Sequence, residues 1–315
     1  MSELGSAAAA PYEPSPGAPP VPRRTLFGAL EVLGAAACFS ALPIFTIVAT
    51  DRGGASLETA LAGRYLLGAV ALLAVAGAAA RLKIQRGELW RMVLLGGMGQ
   101  AVIAWLALSA LAYLPAATMV FLFYTFPAWV AVIAAVRRTE PLTPMRIVAL
   151  VLALGGIWAL VGSPWAGALH PAGILLTLAA ALTYAVYIPF IGSLQRNVGP
   201  VIASMYVSLG AGLTFLLGGL LSGRLTTIST TDAWIGIVGM AIVSTAAAFI
   251  LFLRGLALLG PVRTAIVSTG EPFFVTILGV LVLDQPASRA ILLGGALVAA
   301  AVILIATARE KLPRQ

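Results

Sequence analysis

The chain has 315 residues, of which 61% are hydrophobic and only 10% charged, with a formal net charge of +8 and one cysteine. A soluble domain runs at about 45–50% apolar and about 25% charged residues, so the composition excludes a soluble globular protein and requires spans in a bilayer. The lone Cys38 excludes a disulfide or a thiolate metal cluster within one chain, and the basic residues lie singly or in small groups between apolar runs, which excludes a nucleic-acid patch.

Residues 1–25 are rich in Ala and Pro without periodicity and read as a disordered cytoplasmic tail. Arg23-Arg24 and the run ending Ala35-Ala36-Ala37-Cys38 have the outline of an export signal. The apolar run continues to about Ala49, however, and reads as a retained first helix. Apolar runs are predicted at 26–49, 57–80, 90–111, 115–136, 145–162, 172–192, 200–222, 232–253, 261–283 and 287–307. Each has close to the ~20 residues that a ~30 Å hydrocarbon layer demands. The runs are solid rather than alternating, so they are helices and not barrel strands. The fold class is therefore an all-α membrane protein with ten transmembrane helices.

Charge orients the spans. With the N-terminus in the cytoplasm, fifteen Arg and Lys fall in inside loops and three (Arg52, Arg224, Arg289) in outside loops. This is a strong positive-inside bias, with both termini cytoplasmic. Arg64 lies within the second span and Glu31 within the first; both stand nearer the ends of their helices than Glu271 and are expected to snorkel. Every other Arg or Lys lies in a loop or at the very end of a span, so none is expected at the depth of Glu271. His170 falls in an outside loop and is given no role.

The chain repeats itself at an offset of 145, since Pro272 follows Pro127 and Pro286 follows Pro141 by that number. That period is too long for a solenoid and marks a duplicated half-protein. The halves are 26–162 (spans 1–5) and 172–307 (spans 6–10), with an extracytoplasmic linker 163–171 and a cytoplasmic tail 308–315. Five spans per half is an odd number, so the second half enters the membrane in the opposite sense. Two inverted five-helix repeats of this kind place a substrate site near the midplane, between the halves.

The stretch Leu258-Leu-Gly-Pro-Val-Arg-Thr-Ala, then Glu271-Pro-Phe-Phe and Leu283-Asp-Gln-Pro, resembles the EamA-type repeat of the drug/metabolite transporter superfamily. So does Ala110-Leu-Ala-Tyr-Leu-Pro-Ala-Ala with Phe126-Pro127 and Thr139-Glu140-Pro-Leu-Thr. Two departures stand out: the second copy has Gln285 beside Asp284 where the first has Glu140, and the first has Phe126 where the second has Glu271. The resemblance implies membrane transport of a small solute without naming it.

Glu271 is the residue most in need of explanation, because a carboxylate at mid-span costs about 2.5–3.5 kcal/mol on insertion scales. Thr264, Ser268 and Glu271 share a helix face that is expected to line a polar cavity. A Glu held structurally beside Pro272 is the plainer alternative. The matching face of span 4 offers Phe123 and Phe126, an aromatic wall for an apolar group. Phe39 and Tyr184 are a repeat pair, as are Gln100 and Thr245; with Tyr187 and Trp105 they complete the expected substrate set. Pro43 and Pro189 stand mid-helix in spans 1 and 6 and are expected hinges, or else ordinary tolerated prolines.

The expected function is secondary transport by alternating access, most plainly export of metabolites such as amino acids across the inner membrane. A proton is the candidate coupling ion, acting through the ionisation of Glu271; no cofactor, metal or nucleic acid is expected. A passive facilitator without ion coupling is the alternative. An intramembrane enzyme fits less well, since one loop His, one Cys and one central Glu supply no nucleophile–base pair.

Overall fold

The computed structural model describes residues 21–77, 86–110, 112–114, 116–161, 170–282 and 289–307. The expected tail at 1–20, the linker at 163–169, the tail at 308–315 and the stretch Leu283–Pro286 lie outside the described residues. Within the described residues the chain is helical throughout, without strands.

Among the described residues, eight helical runs are long and apolar enough to cross a membrane: Arg24–Arg52, Leu57–Ala76, Gly87–Ala110, Thr118–Val136, Pro171–Leu194, Pro200–Leu221, Thr231–Leu259 and Pro261–Val282. Two shorter apolar helices, Pro144–Leu160 and Leu292–Thr307, occupy the places of predicted spans five and ten. The chain is thus a multi-pass membrane protein.

Several runs are not single helices. The first comprises α1 (Val21–Ser40), α2 (Leu42–Ile47) and a π-helical turn, Val48–Arg52. The second is α3 (Leu57–Ala76). The third has α4 (Arg86–Trp90), a π-helical turn Arg91–Gly97 and α5 (Met98–Ala110); the fourth is split into α6 (Ala116–Phe123) and α7 (Phe126–Val136). Then follow α8 (Pro144–Val161), α9 (Pro171–Leu194) and α10 (Pro200–Leu221). The eighth run is α11 (Thr231–Ala241), a π-helical turn Ile242–Ala247 and α12 (Ala248–Leu259). The ninth is split into α13 (Pro261–Ser268) and α14 (Glu271–Val282), and α15 (Arg289–Thr307) closes the chain. The first helix begins inside the stretch expected to be tail, with Pro22 in its first turn, where proline's missing N–H costs no helical bond.

The packing shows how the halves relate. On α3 and α10, Glu58 meets Gly219 and Leu66 meets Gly212, while Leu72 and Met205 share a cluster. Numbers rise on one helix as they fall on the other, so these two run antiparallel. On α8 and α15, Gly156 meets Val298 and Leu160 meets Gly294, again antiparallel. Each is a pair that the 145-residue offset equates, and equivalent helices run antiparallel only if one half is inverted. The remaining contacts obey the same exchange: α1 packs on α12 as α5 packs on α9, and α1 on α14 as α6 and α7 pack on α9.

Small residues set these approaches. Lipid tails are as apolar as a helix face, so close backbone packing has to hold the bundle together. Gly97 and Gly210 abut backbone to backbone, and a side chain at either would enter the other helix. Gly156 and Gly294 do the same for α8 and α15. The glycines of Gly96-Gly97-Met98-Gly99 therefore serve packing, against Val207, Gly210 and Tyr187. Where the loops of the two halves meet, Gly260 (φ 78°) takes a conformation open to glycine, and its Cα lies under the Glu140 carboxylate. Glu140 itself pairs with Arg146 at 3.0 Å.

Candidate functional site

The two split spans break at equivalent places. Helix α6 ends before Tyr124-Thr125 and α13 before Thr269-Gly270, and these positions are 145 apart. Each break tightens the last turn: Thr125 N–H donates to the Leu122 carbonyl at 3.2 Å, and Thr269 N–H to the Ile266 carbonyl at 3.1 Å. A new helix starts at Phe126-Pro127 and at Glu271-Pro272, with proline in the first turn, where its fixed φ suits the helix. Glu271 is therefore not in the interior of a continuous helix, as its sequence position suggests. It is the first residue of α14, where unpaired backbone N–H groups and the helix dipole favour an anion.

Between the halves lies a cavity of about 210 Å³ that Glu271 and Ser268 line from one half. Arg64 and Tyr65 of α3, with Gln100 of α5, line it from the other. Tyr124, at the first break, lines the same cavity as Glu271 from across the repeat interface.

Arg64 overturns its expected placement. It does not snorkel; it is 4% exposed and lines the same cavity as Glu271, close enough to act on the carboxylate electrostatically. Its Nε donates to the Thr245 hydroxyl at 2.8 Å and its Nη2 to the Ser244 carbonyl at 3.0 Å. Both acceptors sit in the π-helical turn Ile242–Ala247, whose wider winding turns a carbonyl out of the helix ladder. Ser244 is steadied in turn by its hydroxyl, which donates to the Cys38 carbonyl at 2.9 Å. The guanidinium lies over the Tyr65 ring at 4.6 Å. Nη1 makes no hydrogen bond among the described residues, so Arg64 is held by one edge with the other available to the cavity.

The π-helical turn of span three behaves alike. Tyr187 donates its hydroxyl proton to the Gly96 carbonyl, in the turn Arg91–Gly97, at 3.0 Å. Gln100 Nε2 donates to the Tyr65 hydroxyl at 3.2 Å. Spans three and eight thus each lend a freed carbonyl to a side chain of the opposite half.

The rest of the lining is apolar, aromatic rings interspersed with aliphatic side chains such as Leu42, Ile103 and Val207. Phe123 stacks on Tyr184 with centroids 5.7 Å apart, and Phe126 meets Tyr184 edge-on at 4.7 Å. Phe39 packs against Phe249 at 5.8 Å and Phe252 at 6.4 Å. Such offset and edge-on pairs are mutually stabilising and stiffen the wall.

Of the residues expected from sequence, Phe39, Gln100, Phe123, Phe126, Tyr184, Tyr187, Ser268 and Glu271 come together here. Three do not. Trp105 is 61% exposed and lines a different pocket, because its face of α5 points away from the cavity. Thr264 is fully buried one turn before the break, away from the cavity, its hydroxyl without a hydrogen-bond partner among the described residues. Thr245 is buried behind Arg64 and holds it rather than facing the cavity. Pro43 falls in the first turn of α2, just past the break at Ala41, whereas Pro189 lies inside the unbroken α9. Glu31, also expected to snorkel, pairs with Arg254 of α12 at 2.8 Å. His170 caps α9, its Nδ1 accepting from Ala172 N–H at 3.2 Å.

Sequence reasoning missed Arg64, Tyr65 and the pair Phe249 and Phe252. One signal was present: Arg64 is seven residues into its span, ~10 Å deep at 1.5 Å per residue, and the depth argument made for Glu271 applies to it too.

The profile of the EamA-like transporter family matches residues 26–162 and 171–307. No curated protein matches the chain. A crystal structure of a protein 20% identical in sequence superposes with a TM-score of 0.75, over 88% of this chain and 95% of the other. At that identity the likeness concerns the fold alone.

Proposed function

The chain belongs to the EamA-like transporter family, and from that premise we propose that it is a secondary active transporter that exports small zwitterionic metabolites such as amino acids. Export runs across the inner membrane by alternating access, with both termini cytoplasmic and a proton as the coupling ion. One observation carries this reading: a cation and a carboxylate from opposite halves, Arg64 and Glu271, face one cavity whose remaining walls are mostly apolar and rich in aromatic rings. A solute carboxylate would take the free edge of Arg64, and its ammonium group would take Glu271. The rings of Phe123, Phe126 and Tyr184 would hold the apolar side chain. Because the two charges belong to different halves, a bound zwitterion ties the halves together, and its departure leaves each charge without its ligand. Occupancy then biases the relation between the halves, which alternating access requires. The positive-inside charge distribution supports the orientation.

The test is purified protein in liposomes, with counterflow of a radiolabelled aromatic amino acid under an imposed proton gradient. Efficient exchange is expected for the amino acid. Exchange should drop at least tenfold for analogues that lack either the amine or the carboxylate. Equal exchange of all three would refute the reading, and equilibration without accumulation against a gradient would favour a passive facilitator.

A further inference from the structure

A second pocket, of about 520 Å³, opens between α3, α5 and α10 at the membrane face carrying the Gly54 and Thr227 loops. Its mouth holds Glu58 and Arg224, at the ends of two spans, and its depth is apolar, with Leu61, Val102 and Phe215. From Ser109 at the mouth to Ala101 at the base is eight residues of helix, ~12 Å into the bilayer. Trp105, the residue that the central cavity does not use, stands on its lipid side and is 61% exposed.

The slot is not a by-product of the repeat. Moving its lining residues by 145 gives Tyr206 for Leu61, Ala246 for Ala101 and Ile250 for Trp105. There the space is filled: Leu72, Met205 and Ala246 form a buried cluster on which Tyr206 and Ile250 pack. At the first site the counterpart of the buried Leu72 is Leu217, which is 57% exposed, and a side chain built at Gly218 meets only open space.

We propose that this slot binds one phospholipid with a primary-amine headgroup. Its acyl chain would run along Leu61, Val102 and Phe215. Its phosphodiester would meet Arg224, which is 72% exposed and only loosely paired, at 3.4 Å, with Glu58. The headgroup ammonium would meet the Glu58 carboxylate. An acid and a base side by side at headgroup depth match a phosphate and an ammonium in one molecule. A choline headgroup has no N–H to donate, and a glycerol headgroup has no cation, so both are poorer fits. This inference is independent of the transported solute.

The experiment is native mass spectrometry of the full-length protein titrated with phosphatidylethanolamine, phosphatidylcholine and phosphatidylglycerol of identical acyl chains. One phosphatidylethanolamine should be retained at least tenfold more tightly than either other lipid. Glu58→Gln and Arg224→Gln should each erase that preference, and Gly218→Leu should abolish retention of all three. Should Gly218→Leu fail to fold, Ser109→Phe fills the same slot from α5. Equal retention of the three lipids by the unmodified chain, meaning annular lipid only, overturns the proposal. So does tighter binding of phosphatidylglycerol, or undiminished retention in the filled variants.

Discussion

The two broken spans are the same device with different chemistry. Both unwind for two residues, at Tyr124-Thr125 and Thr269-Gly270, and both restart with a proline in the first turn. At the head of the new helix the first copy has Phe126 and the second Glu271. The backbone break is what puts a helix N-terminus at mid-membrane, so duplication provides two such ends. Only one bears a charge; the other contributes a ring to the wall and brings Tyr124 to the same cavity. Fold symmetry and site asymmetry are thus separable: the backbone repeats, while the ligand groups are divided between the copies. Arg64 follows the same rule, since its counterpart 145 residues on is the uncharged Leu209.

This division can be attacked directly. The largest effect is expected from exchanging the two residues, Phe126→Glu with Glu271→Phe. The carboxylate would then sit at the other helix end, while Arg64 stays fixed by Thr245 and Ser244, so liposome transport should fall to background. Recovery of even a tenth of the rate would mean that the copies are interchangeable and the comparison fails. Glu271→Gln alone should fold normally, as judged by circular dichroism and monodispersity. It should lose about 30-fold or more in transport efficiency, since truncating one partner of a buried charge contact costs about 2 kcal/mol or more. Whatever transport survives should no longer vary with pH. A well-folded Gln variant with unchanged rate and pH profile would return Glu271 to a structural role.

A smaller effect should follow from Arg64→Lys. The charge is kept, but a lysine cannot reach the Thr245 hydroxyl and the Ser244 carbonyl and still offer an edge to the cavity. About a tenfold loss, mostly in KM, is expected from transport titrations. Thr245→Val removes one acceptor of that fork and should raise KM about threefold to tenfold, the scale of one ordinary net hydrogen bond. A larger loss than that of Arg64→Lys would show that Thr245 meets the solute itself. Least of all should Thr264→Val matter, as it replaces a buried hydroxyl without a partner among the described residues by a methyl of the same shape. Transport should stay within twofold and the melting temperature should rise by about 1–2 °C. A drop in transport would put the i, i+4, i+7 face of Thr264, Ser268 and Glu271 back at the cavity.

Much of this molecule is legible before folding. Span positions follow from apolar length, because a bilayer sets a minimum run of residues. The inversion of the halves follows from the 145-residue offset and an odd number of spans per half, and the antiparallel pairing of α3 with α10 agrees with it. Glu271 stands out by the cost of its depth, and the aromatic wall by its density in span four.

What tertiary structure alone decided is where each span breaks and which way each side chain faces. In water a helix displays its buried side through the alternation of apolar and polar residues. These spans are apolar all round, because lipid and protein interior make the same demand, so the rotation of a helix about its axis is nearly silent in sequence. Trp105, Thr264 and Thr245 were misplaced for that reason. Arg64 was misplaced for a second one: whether a charge near a span end snorkels or turns inward depends on acceptors supplied by another helix. Here they are Thr245 and a carbonyl released by a π-helical turn some 180 residues away in the chain. The sequence contains both partners, but only the packing of the two halves brings them within a hydrogen bond of each other.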